Sequence, residues 1–280
     1  MTVKEAYIKC KKILCDNNFE GYDFEALCLI KAVTGFDRIA LISYGDKTLE
    51  QSQEEKLNSY LEQRLKHIPL QYITGNWSFM GFDFAVGDGV LIPRDDTEVV
   101  VNLCLDFLSD RKDRKVIDLC AGSGAISVAV SELAKADVTA VELSDKAFYF
   151  LEKNIKGRNI QAYKGDILAC HKDFENNKYD LIVSNPPYIK SEDIKTLQSE
   201  VQFEPVMALD GGKSGFDFYE SIIENWSSKL KNGGALAFEL GEEQADYVSE
   251  LMERKGFSQI RTELDFGGIH RAIIGTMLLK

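Results

Sequence analysis

The distribution of apolar residues divides the chain into a helical first part and an alternating second part. Up to about residue 70, apolar positions recur every three or four residues, which is the spacing of amphipathic helices. Asp23 and Thr48 are suitable N-caps, and Gly35 is a suitable helix end. The sequence therefore predicts a small helical domain over residues 1–70.

A short alternating segment follows the helical part. Residues 71–89 alternate between apolar and polar positions, and Gly75, Gly81 and Gly87 interrupt them. This pattern predicts a β-hairpin that links the two parts of the chain.

The rest of the chain, residues 90–280, alternates between helical and strand-like segments. We predict strands near residues 115–119, 137–142, 159–163, 179–184 and 234–240. Such alternation is typical of a mostly parallel sheet that helices cover on both faces. The stretches 257–262 and 269–277 are separated by Gly267 and Gly268, so we predict an antiparallel pair of strands at one edge.

Composition and charge exclude several classes of function. The chain has 280 residues, of which 45% are hydrophobic, which suffices for a substantial core. Its formal charge of −12 argues against broad binding to nucleic acid, since that binding needs clustered Lys and Arg. No apolar run approaches the roughly 20 residues of a membrane span. The first residues also lack the layout of a signal peptide, so we expect a cytoplasmic protein without membrane contact.

Cysteine and histidine positions argue against metal and disulfide sites. The six cysteines include no Cys-x-x-Cys pair, and the three histidines lie far apart in sequence. We expect neither disulfides nor a bound metal. Cys120 lies in a glycine-rich turn without a histidine nearby in sequence, which favours a packing role over a nucleophilic one.

A polar, proline-rich turn follows one of the predicted buried strands. Asn185, Pro186, Pro187 and Tyr188 come directly after the run 179–184, where open α/β sheets bind ligands. The prolines fix φ and leave nearby carbonyls free to accept hydrogen bonds. Asn185 adds an acceptor and Tyr188 a flat ring, so the turn suits a planar group that carries an NH2. The alternative is a simple Pro-rich turn that closes the strand.

A second motif upstream indicates a nucleotide-type cofactor. The strand that ends at Leu119 runs into a glycine turn and then a helix, and Gly122 and Gly124 permit close backbone approach. The N–H groups at the start of the helix can bind an anionic group. Glu142 lies twenty residues beyond Gly122 at the end of the next strand, where an acid can bind both ribose hydroxyls.

Together, these motifs resemble those of class I S-adenosylmethionine-dependent methyltransferases, and more narrowly of release factor glutamine methyltransferases. The similarity runs along nearly the entire chain and includes Pro69–Tyr72, Gly75, Phe79, Gly81, Phe84, Val90–Arg94, Thr97, Glu98, Ser184–Ile189, Glu200, Val201, Phe203–Pro205, Ala208–Gly212, Gly234, Glu239–Gly241, Gln244, Asp265 and Arg271. The resemblance implies a Rossmann-like domain with a mostly parallel seven-stranded sheet and an antiparallel edge. It also implies a small N-terminal helical domain, joined by the hairpin, that docks the substrate.

The resemblance assigns the family's site residues to positions of this sequence. It implies that S-adenosylmethionine is held by Cys120, Ala121, Gly122, Ser123, Gly124, Glu142, Asp166, Ile167 and Asn185. It implies that the substrate binds at Asn185, Pro186, Pro187 and Tyr188, of which Asn185, Pro186 and Tyr188 act in catalysis. Three departures from the family pattern stand out: Cys120 in place of a glycine, Glu142 in place of an aspartate, and Asp95–Asp96 in place of Pro-Glu. His270 also stands where an acidic residue is more usual.

The function implied is methylation of the side-chain amide nitrogen, N5, of the glutamine in the Gly-Gly-Gln motif of bacterial peptide chain release factors 1 and 2, by a monomer. An adenine-N6 methyltransferase on DNA or RNA is the alternative, because an exocyclic NH2 presents the same planar donors. A non-catalytic cofactor-binding protein is the third interpretation. We also expect Arg94 and Glu98 to form an ion pair, and residues 203–205 and 209–212 to form the outer wall of the site.

Overall fold

The computed structural model describes residues 1–278, which fall into two compact units. The first unit contains Met1–Asn76 together with the short segment Ser199–Phe203. The second contains Trp77–Gln198 and the chain from Glu204 onward. Within the described residues, no helix combines the length and the apolar character needed to cross a membrane.

Helices and one apolar core make up the first unit. Its helices are α1 (Val3–Asp16), α2 (Tyr22–Thr34), α3 (Arg38–Tyr44), α4 (Gln51–Arg64) and α5 (Leu70–Thr74). Ala6, Leu29, Leu57 and Leu70 come from four of these helices and are buried in that core. The predicted helical character of this part is therefore confirmed.

The ends of α2 and α4 differ in part from the sequence-based prediction. Asp23 lies inside the first turn of α2, after the N-cap Gly21, because its carboxylate accepts hydrogen bonds from side chains of α1. Glu50 rather than Thr48 caps α4, since Thr48 pairs with the backbone near the start of the chain. Gly35 does end α2, with a left-handed φ of 77° that a glycine adopts without strain.

The predicted hairpin is shorter than expected. Its strands are β1 (Asn76–Phe79) and β2 (Phe82–Ala85), and residues Leu70–Thr74 form α5 instead of strand. Pro69 precedes this helix and Gly75 ends it in the left-handed region, where the Gly75 N–H donates to the carbonyl of Gln71. The alternation of apolar residues in so short a segment fits one helical turn as well as a strand.

A seven-stranded sheet organises the second unit. Its strands are β3 (Lys115–Leu119), β4 (Asp137–Glu142), β5 (Ile160–Lys164), β6 (Tyr179–Ser184), β7 (Leu230–Glu239), β8 (Phe257–Leu264) and β9 (His270–Met277). Their order is β5-β4-β3-β6-β7-β9-β8, with β9 antiparallel to both neighbours and the other pairs parallel. The predicted fold class, including the antiparallel edge, is confirmed.

Helices cover both faces of this sheet. They are α6 (Thr97–Leu108), α7 (Ala125–Ala134), α8 (Asp145–Ile155), α9 (Val206–Leu209), α10 (Asp217–Trp226) and α11 (Ala245–Lys255). Apolar residues of α6, α7, α8 and the hairpin form one buried cluster, and those of α10 and α11 form another. The strands between these two clusters are apolar on both faces, so each strand is a nearly continuous hydrophobic run in the sequence.

The register of the central strands aligns their carboxyl ends. Leu119 of β3 pairs with Val141 of β4 on one side and with Ser184 of β6 on the other. Ser184 in turn pairs with Phe238 of β7, one residue before that strand ends. The Ser184 hydroxyl also donates a buried hydrogen bond of 2.7 Å to the Leu119 carbonyl. The segments that follow these strands therefore start at one edge of the sheet.

A buried arginine holds the first unit together. Arg64, at the end of α4, is 2% exposed and binds both carboxylate oxygens of Glu25 in α2, at 2.7 and 2.9 Å. It also pairs with Glu200 from the segment Ser199–Phe203 and lies over the Phe19 ring. A bidentate pair with so little solvent depends strongly on both partners.

We predict that Arg64→Ala destabilises the first unit by about 3–5 kcal/mol, because it leaves the Glu25 carboxylate, whose side chain is only 13% exposed, without a partner. Urea unfolding, with hydrogen exchange of peptides from residues 1–76, measures this loss. Arg38→Ala is the matched control, since its pair with Asp23 is well exposed and contributes below about 1 kcal/mol. Similar losses for the two variants would contradict a structural role of the Arg64 pair.

Candidate active site

A cavity opens at the carboxyl edge of the parallel strands, within the second unit. It is lined by Gly89, Leu91, Ile92, Pro93, Arg94, Thr97, Cys120, Ala121, Gly122, Ser123, Ala125, Ile126, Val141, Glu142, Leu143, Ser144, Ala147, Asp166, Ile167, Asn185, Pro187, Pro205, Met207, Ala208 and Phe218. Most of the residues predicted from the sequence to hold a cofactor therefore share one cavity. Gly124, Pro186 and Tyr188 are predicted site residues that do not line it.

The turn after β3 has the backbone conformation that glycines favour. Cys120, Gly122 and Gly124 have φ values of 60°, 57° and 84°. A cysteine in this region costs roughly 1–2 kcal/mol, a strain that a glycine at position 120 would avoid. A Cβ atom added at Gly122 would meet nothing within 4 Å, whereas one at Gly124 would come within 2.7 Å of Leu151. Gly122 thus leaves open space, and Gly124 allows α8 to pack closely.

Glu142 braces the turn from the end of β4. Its two carboxylate oxygens accept hydrogen bonds from the backbone N–H groups of Gly122, at 2.8 Å, and Ser144, at 2.7 Å. The residue is 8% exposed and lines the cavity. Each oxygen keeps a further lone-pair direction free for a ligand hydroxyl.

Asp166 and Ile167 follow β5 and form another wall of the cavity. Asp166 accepts a hydrogen bond from the Leu168 N–H, which fixes the loop, and its side chain lies at the cavity. Ile167 is 5% exposed, and its carbonyl accepts a hydrogen bond of 2.9 Å from the Trp226 indole. An apolar wall beside an acidic side chain suits a flat heteroaromatic ring.

Asn185 projects its amide at the end of β6. The residue is partly exposed and lines the cavity, and within residues 1–278 its side chain has no protein hydrogen-bond partner. Pro186 and Pro187 are buried, and they fix the backbone immediately after it. The side-chain oxygen and nitrogen of Asn185 are therefore available to a ligand.

Tyr188 points away from this cavity toward a buried carboxylate. Its hydroxyl donates to Oε1 of Glu239 at 3.3 Å, and the Thr97 hydroxyl donates to Oε2 at 2.6 Å. Burial raises the pKa of Tyr188, and burial raises that of Glu239 to about 7 against the opposing effect of the Thr97 hydrogen bond. Sequence reasoning missed this use of Glu239, although an acid at the end of the apolar run 235–238 is a visible signal.

The loop after α9 packs closely on the Asn-Pro-Pro-Tyr turn. The Ile189 N–H donates a hydrogen bond of 3.0 Å to the carbonyl of Leu209, the last residue of α9. The Ile189 carbonyl accepts one of 2.8 Å from the N–H of Gly211 in the loop. A Cβ atom on Gly211 would lie 2.7 Å from the Tyr188 Cα, so only glycine fits there. Pro205, Met207 and Ala208 line the cavity beside it.

Arg94 pairs with a different acid from the one that the sequence suggests. Its guanidinium contacts Glu204 rather than Glu98. Glu204 is 4% exposed and also accepts a hydrogen bond of 3.0 Å from the Ile92 N–H. Glu98 lies in the first turn of α6, so the short spacing in sequence misled the prediction. The pair with Glu204 ties the segment before α6 to the segment before α9.

Asp96, one of the departures from the family pattern, lies beside the ion pair between Arg271 and Asp265. Arg271 of β9 binds Asp265 at 3.1 Å, and its Nε is 3.5 Å from an Asp96 oxygen. An acid at position 96 therefore extends this pair to the start of α6 without entering the cavity. Nothing in the structure explains His270.

Comparisons with known proteins agree along nearly the entire chain. The PrmC N-terminal domain family matches residues 5–75, and the methyltransferase small domain family matches residues 94–203. A release factor glutamine methyltransferase of Clostridium acetobutylicum is 37% identical over 98% of each chain. One of Geobacter sulfurreducens is also 37% identical, over 98% of this chain and 96% of its own. The chain belongs to the release factor glutamine methyltransferase family.

Membership of this family makes the protein a protein-glutamine methyltransferase with S-adenosylmethionine as methyl donor. A solved methyltransferase of Pyrococcus furiosus superposes with a TM-score of 0.54 over 82% of this chain and 100% of its own, at 17% identity. That similarity concerns the fold alone. The cavity fits the cofactor, since open space beside Gly122, a braced acid and an apolar wall lie together in it.

We predict that Cys120 resists alkylation although it lines the cavity. Burial, and then the charge of Glu142, raise its pKa, so the thiol stays protonated at pH 8, and only thiolates react fast. Cys10 and Cys170, with pKa values raised to about 11, should resist as well, whereas the exposed Cys15 should react.

Iodoacetamide labelling at pH 8 followed by peptide mass spectrometry tests this order. The denatured protein, in which all six cysteines are accessible, is the control. Labelling of Cys120 as fast as Cys15 would contradict the packing role and reopen a nucleophilic one.

Proposed function

We propose that this protein transfers the methyl group to the N5 atom of the glutamine in the Gly-Gly-Gln motif of peptide chain release factors. The observation that carries this proposal is the unpartnered amide of Asn185, held at the cavity by two buried prolines within the described residues. The Asn185 side-chain oxygen can accept a hydrogen bond from a primary amide, and the backbone carbonyls of Pro186 and Pro187 follow it directly in the chain. Family membership supports the same substrate class.

The residues of the turn would act by positioning and by electrostatics. Amide nitrogen is a poor nucleophile, because its lone pair is delocalised into the carbonyl. We propose that the Asn185 oxygen and the Pro186 carbonyl accept the two N–H groups, aim the lone pair at the methyl group and stabilise positive charge on the nitrogen. The proton of the product then leaves to solvent, so no strong base is required before attack.

The cofactor would be held by the segments after β3, β4 and β5. S-adenosylmethionine supplies a methyl group on a sulfonium, whose S–C bond breaks as the new N–C bond forms. We propose that Cys120–Gly124 hold the methionine end with backbone N–H groups, that Glu142 binds the ribose hydroxyls, and that Asp166 and Ile167 flank the adenine. Gly124 would contribute through its backbone alone, since Leu151 occupies the space next to its Cα atom.

Mass spectrometry of release factors 1 and 2 after incubation with this protein and S-adenosylmethionine tests the function. One added methyl on the Gly-Gly-Gln glutamine is the expected result. Oligonucleotides containing adenine serve as the parallel substrate, because methylation of adenine alone would replace the proposal by the nucleic-acid alternative. Methylation of neither would leave a cofactor-binding protein.

Asn185→Ala should lower the rate of glutamine methylation about 100-fold or more, by analogy with the loss of one donor from an oxyanion hole. The same mass-spectrometric assay, run as a time course, measures the rate. Binding of S-adenosylhomocysteine, measured by calorimetry, is the control for a correctly folded cavity. Wild-type turnover by this variant would exclude the role of Asn185.

We also propose that the helical first unit docks the release factor, in the cytoplasm where translation occurs, and that the enzyme acts as a monomer. Ile39 and Ile42 of α3 support this docking role. They are 74% and 80% exposed and lie three residues apart, on one helix face. Exposed apolar side chains in such an arrangement are typical of contact surfaces. Light scattering measures the oligomeric state.

Ile42→Asp should raise the KM for the intact release factor about 10-fold, because a charge replaces an apolar contact. It should leave the KM for a short Gly-Gly-Gln peptide unchanged. Phe266→Asp, on an exposed turn of the second unit, is the matched control. Docking through α3 is excluded if both variants have the wild-type KM for the intact release factor.

A further inference from the structure

Glu239 is a buried acid that the methylation chemistry described above does not use. It ends β7, is 1% exposed and does not line the cavity. A carboxylate in such a place is costly unless hydrogen bonds and nearby charge compensate it. Here the compensation comes from the hydroxyls of Tyr188 and Thr97 and from the nearby charge of Arg271.

Tyr188 is held at both ends of the residue by groups outside the cavity. Its hydroxyl donates to Glu239, while its backbone carbonyl accepts a hydrogen bond of 3.0 Å from the Gln244 side chain. Gln244 is 8% exposed and is itself fixed, because its oxygen accepts from the Gly241 N–H at 2.9 Å and from the Tyr219 hydroxyl at 3.1 Å. These contacts place the Tyr188 ring against Gly241, where an added Cβ would come within 2.9 Å.

The fixed position of Tyr188 constrains Asn185 through the two prolines. Pro186 and Pro187 have locked φ angles, so few backbone torsions separate Tyr188 from the Asn185 amide. A shift at Tyr188 must therefore move the acceptors upstream of it. Misplacement of a reacting group by about 1 Å can cost on the order of 100-fold in rate.

We propose that Glu239 is a positioning residue for methyl transfer, which anchors the Tyr188 hydroxyl and so holds the Asn185–Pro186 acceptors in their reactive geometry. This inference rests on the proposed function. Glu239 does not line the cavity, so it would act through Tyr188 rather than by touching substrate or cofactor. The hydrogen bond to Tyr188 can be removed from the tyrosine alone, which separates it from the bond between Glu239 and Thr97.

Three substitutions test that hydrogen bond. Tyr188→Phe removes the donor and leaves the bond between Thr97 and Glu239 in place. Glu239→Met removes the acceptor of both hydroxyls at similar volume, whereas Glu239→Gln keeps an acceptor oxygen for Tyr188 and turns its NH2 toward the Thr97 oxygen. We expect Tyr188→Phe and Glu239→Met each to lower kcat roughly 10-fold or more, while the KM for the release factor changes little. The double variant should be no slower than the slower single variant, and Glu239→Gln should retain most of the wild-type kcat.

Tyr247→Phe is the matched control, since the Tyr247 hydroxyl donates to Glu220 on the exposed side of the second unit, at 2.7 Å. It should leave kcat unchanged. Calorimetric titration with S-adenosylhomocysteine should give the same Kd for every variant. Additive effects of the two single variants, a wild-type kcat for Tyr188→Phe, or loss of cofactor-product binding would each overturn the proposal.

Hydrogen exchange gives a readout that does not depend on the substrate. The amides of Ile189 and Ser191 bond to the loop after α9 and report how firmly the turn is held. Exchange in a peptide spanning 184–192 should be faster in Glu239→Met than in the wild type, and restored in Glu239→Gln. Equal exchange in all three proteins would overturn the positioning role even if the release factor proved not to be the substrate. If exchange is faster in Glu239→Met but the wild-type protein does not methylate the release factor, the result counts against the proposed function alone.

Discussion

The alignment of strand ends at the carboxyl edge of the sheet is the constraint on which the site depends. Leu119 pairs with both Val141 and Ser184, and the Ser184 hydroxyl fixes that register with a hydrogen bond to the Leu119 carbonyl. A one-residue slip would reverse the faces of every side chain in the slipped strand and would shift the segment that follows it. The glycine turn and the Asn-Pro-Pro-Tyr turn meet at the same edge because of this register.

Near that edge of the sheet, several buried polar side chains form hydrogen bonds with backbone groups of the loops. Glu142 accepts from the Gly122 N–H, Glu204 from the Ile92 N–H, and Gln244 donates to the Tyr188 carbonyl. Each loop around the cavity is thus braced by a side chain from another element. Because a buried polar group without partners is costly, each pair favours one arrangement of its loop over others. Two of these bracing residues, Glu204 and Gln244, lie outside the cavity that they help to shape, whereas Glu142 also lines it.

The sequence predicts the sheet and most of the cavity well, because both depend on local signals. Apolar runs locate strands, and glycines, prolines and the acid Glu142 lie at strand ends that a parallel sheet brings together. The sequence predicts less well the side-chain contacts between residues that lie far apart in the chain. Arg94 was matched to its near neighbour Glu98, but its partner Glu204 is 110 residues away. The support of Tyr188 by Glu239 is likewise a tertiary contact that neither residue's surroundings in the sequence reveal.

The choice of a neutral amide at position 185 follows from where the charges lie. An asparagine carries an acceptor and two donors, so one side chain can face the substrate amide with its oxygen and a carboxylate with its NH2. An aspartate there would add a further negative charge to a cavity that Glu142 and Asp166 already line. Of the other buried acids, Glu239 lies outside the cavity, on the Tyr188 hydroxyl. A neutral acceptor at position 185 thus suits an uncharged substrate amide better than a cation.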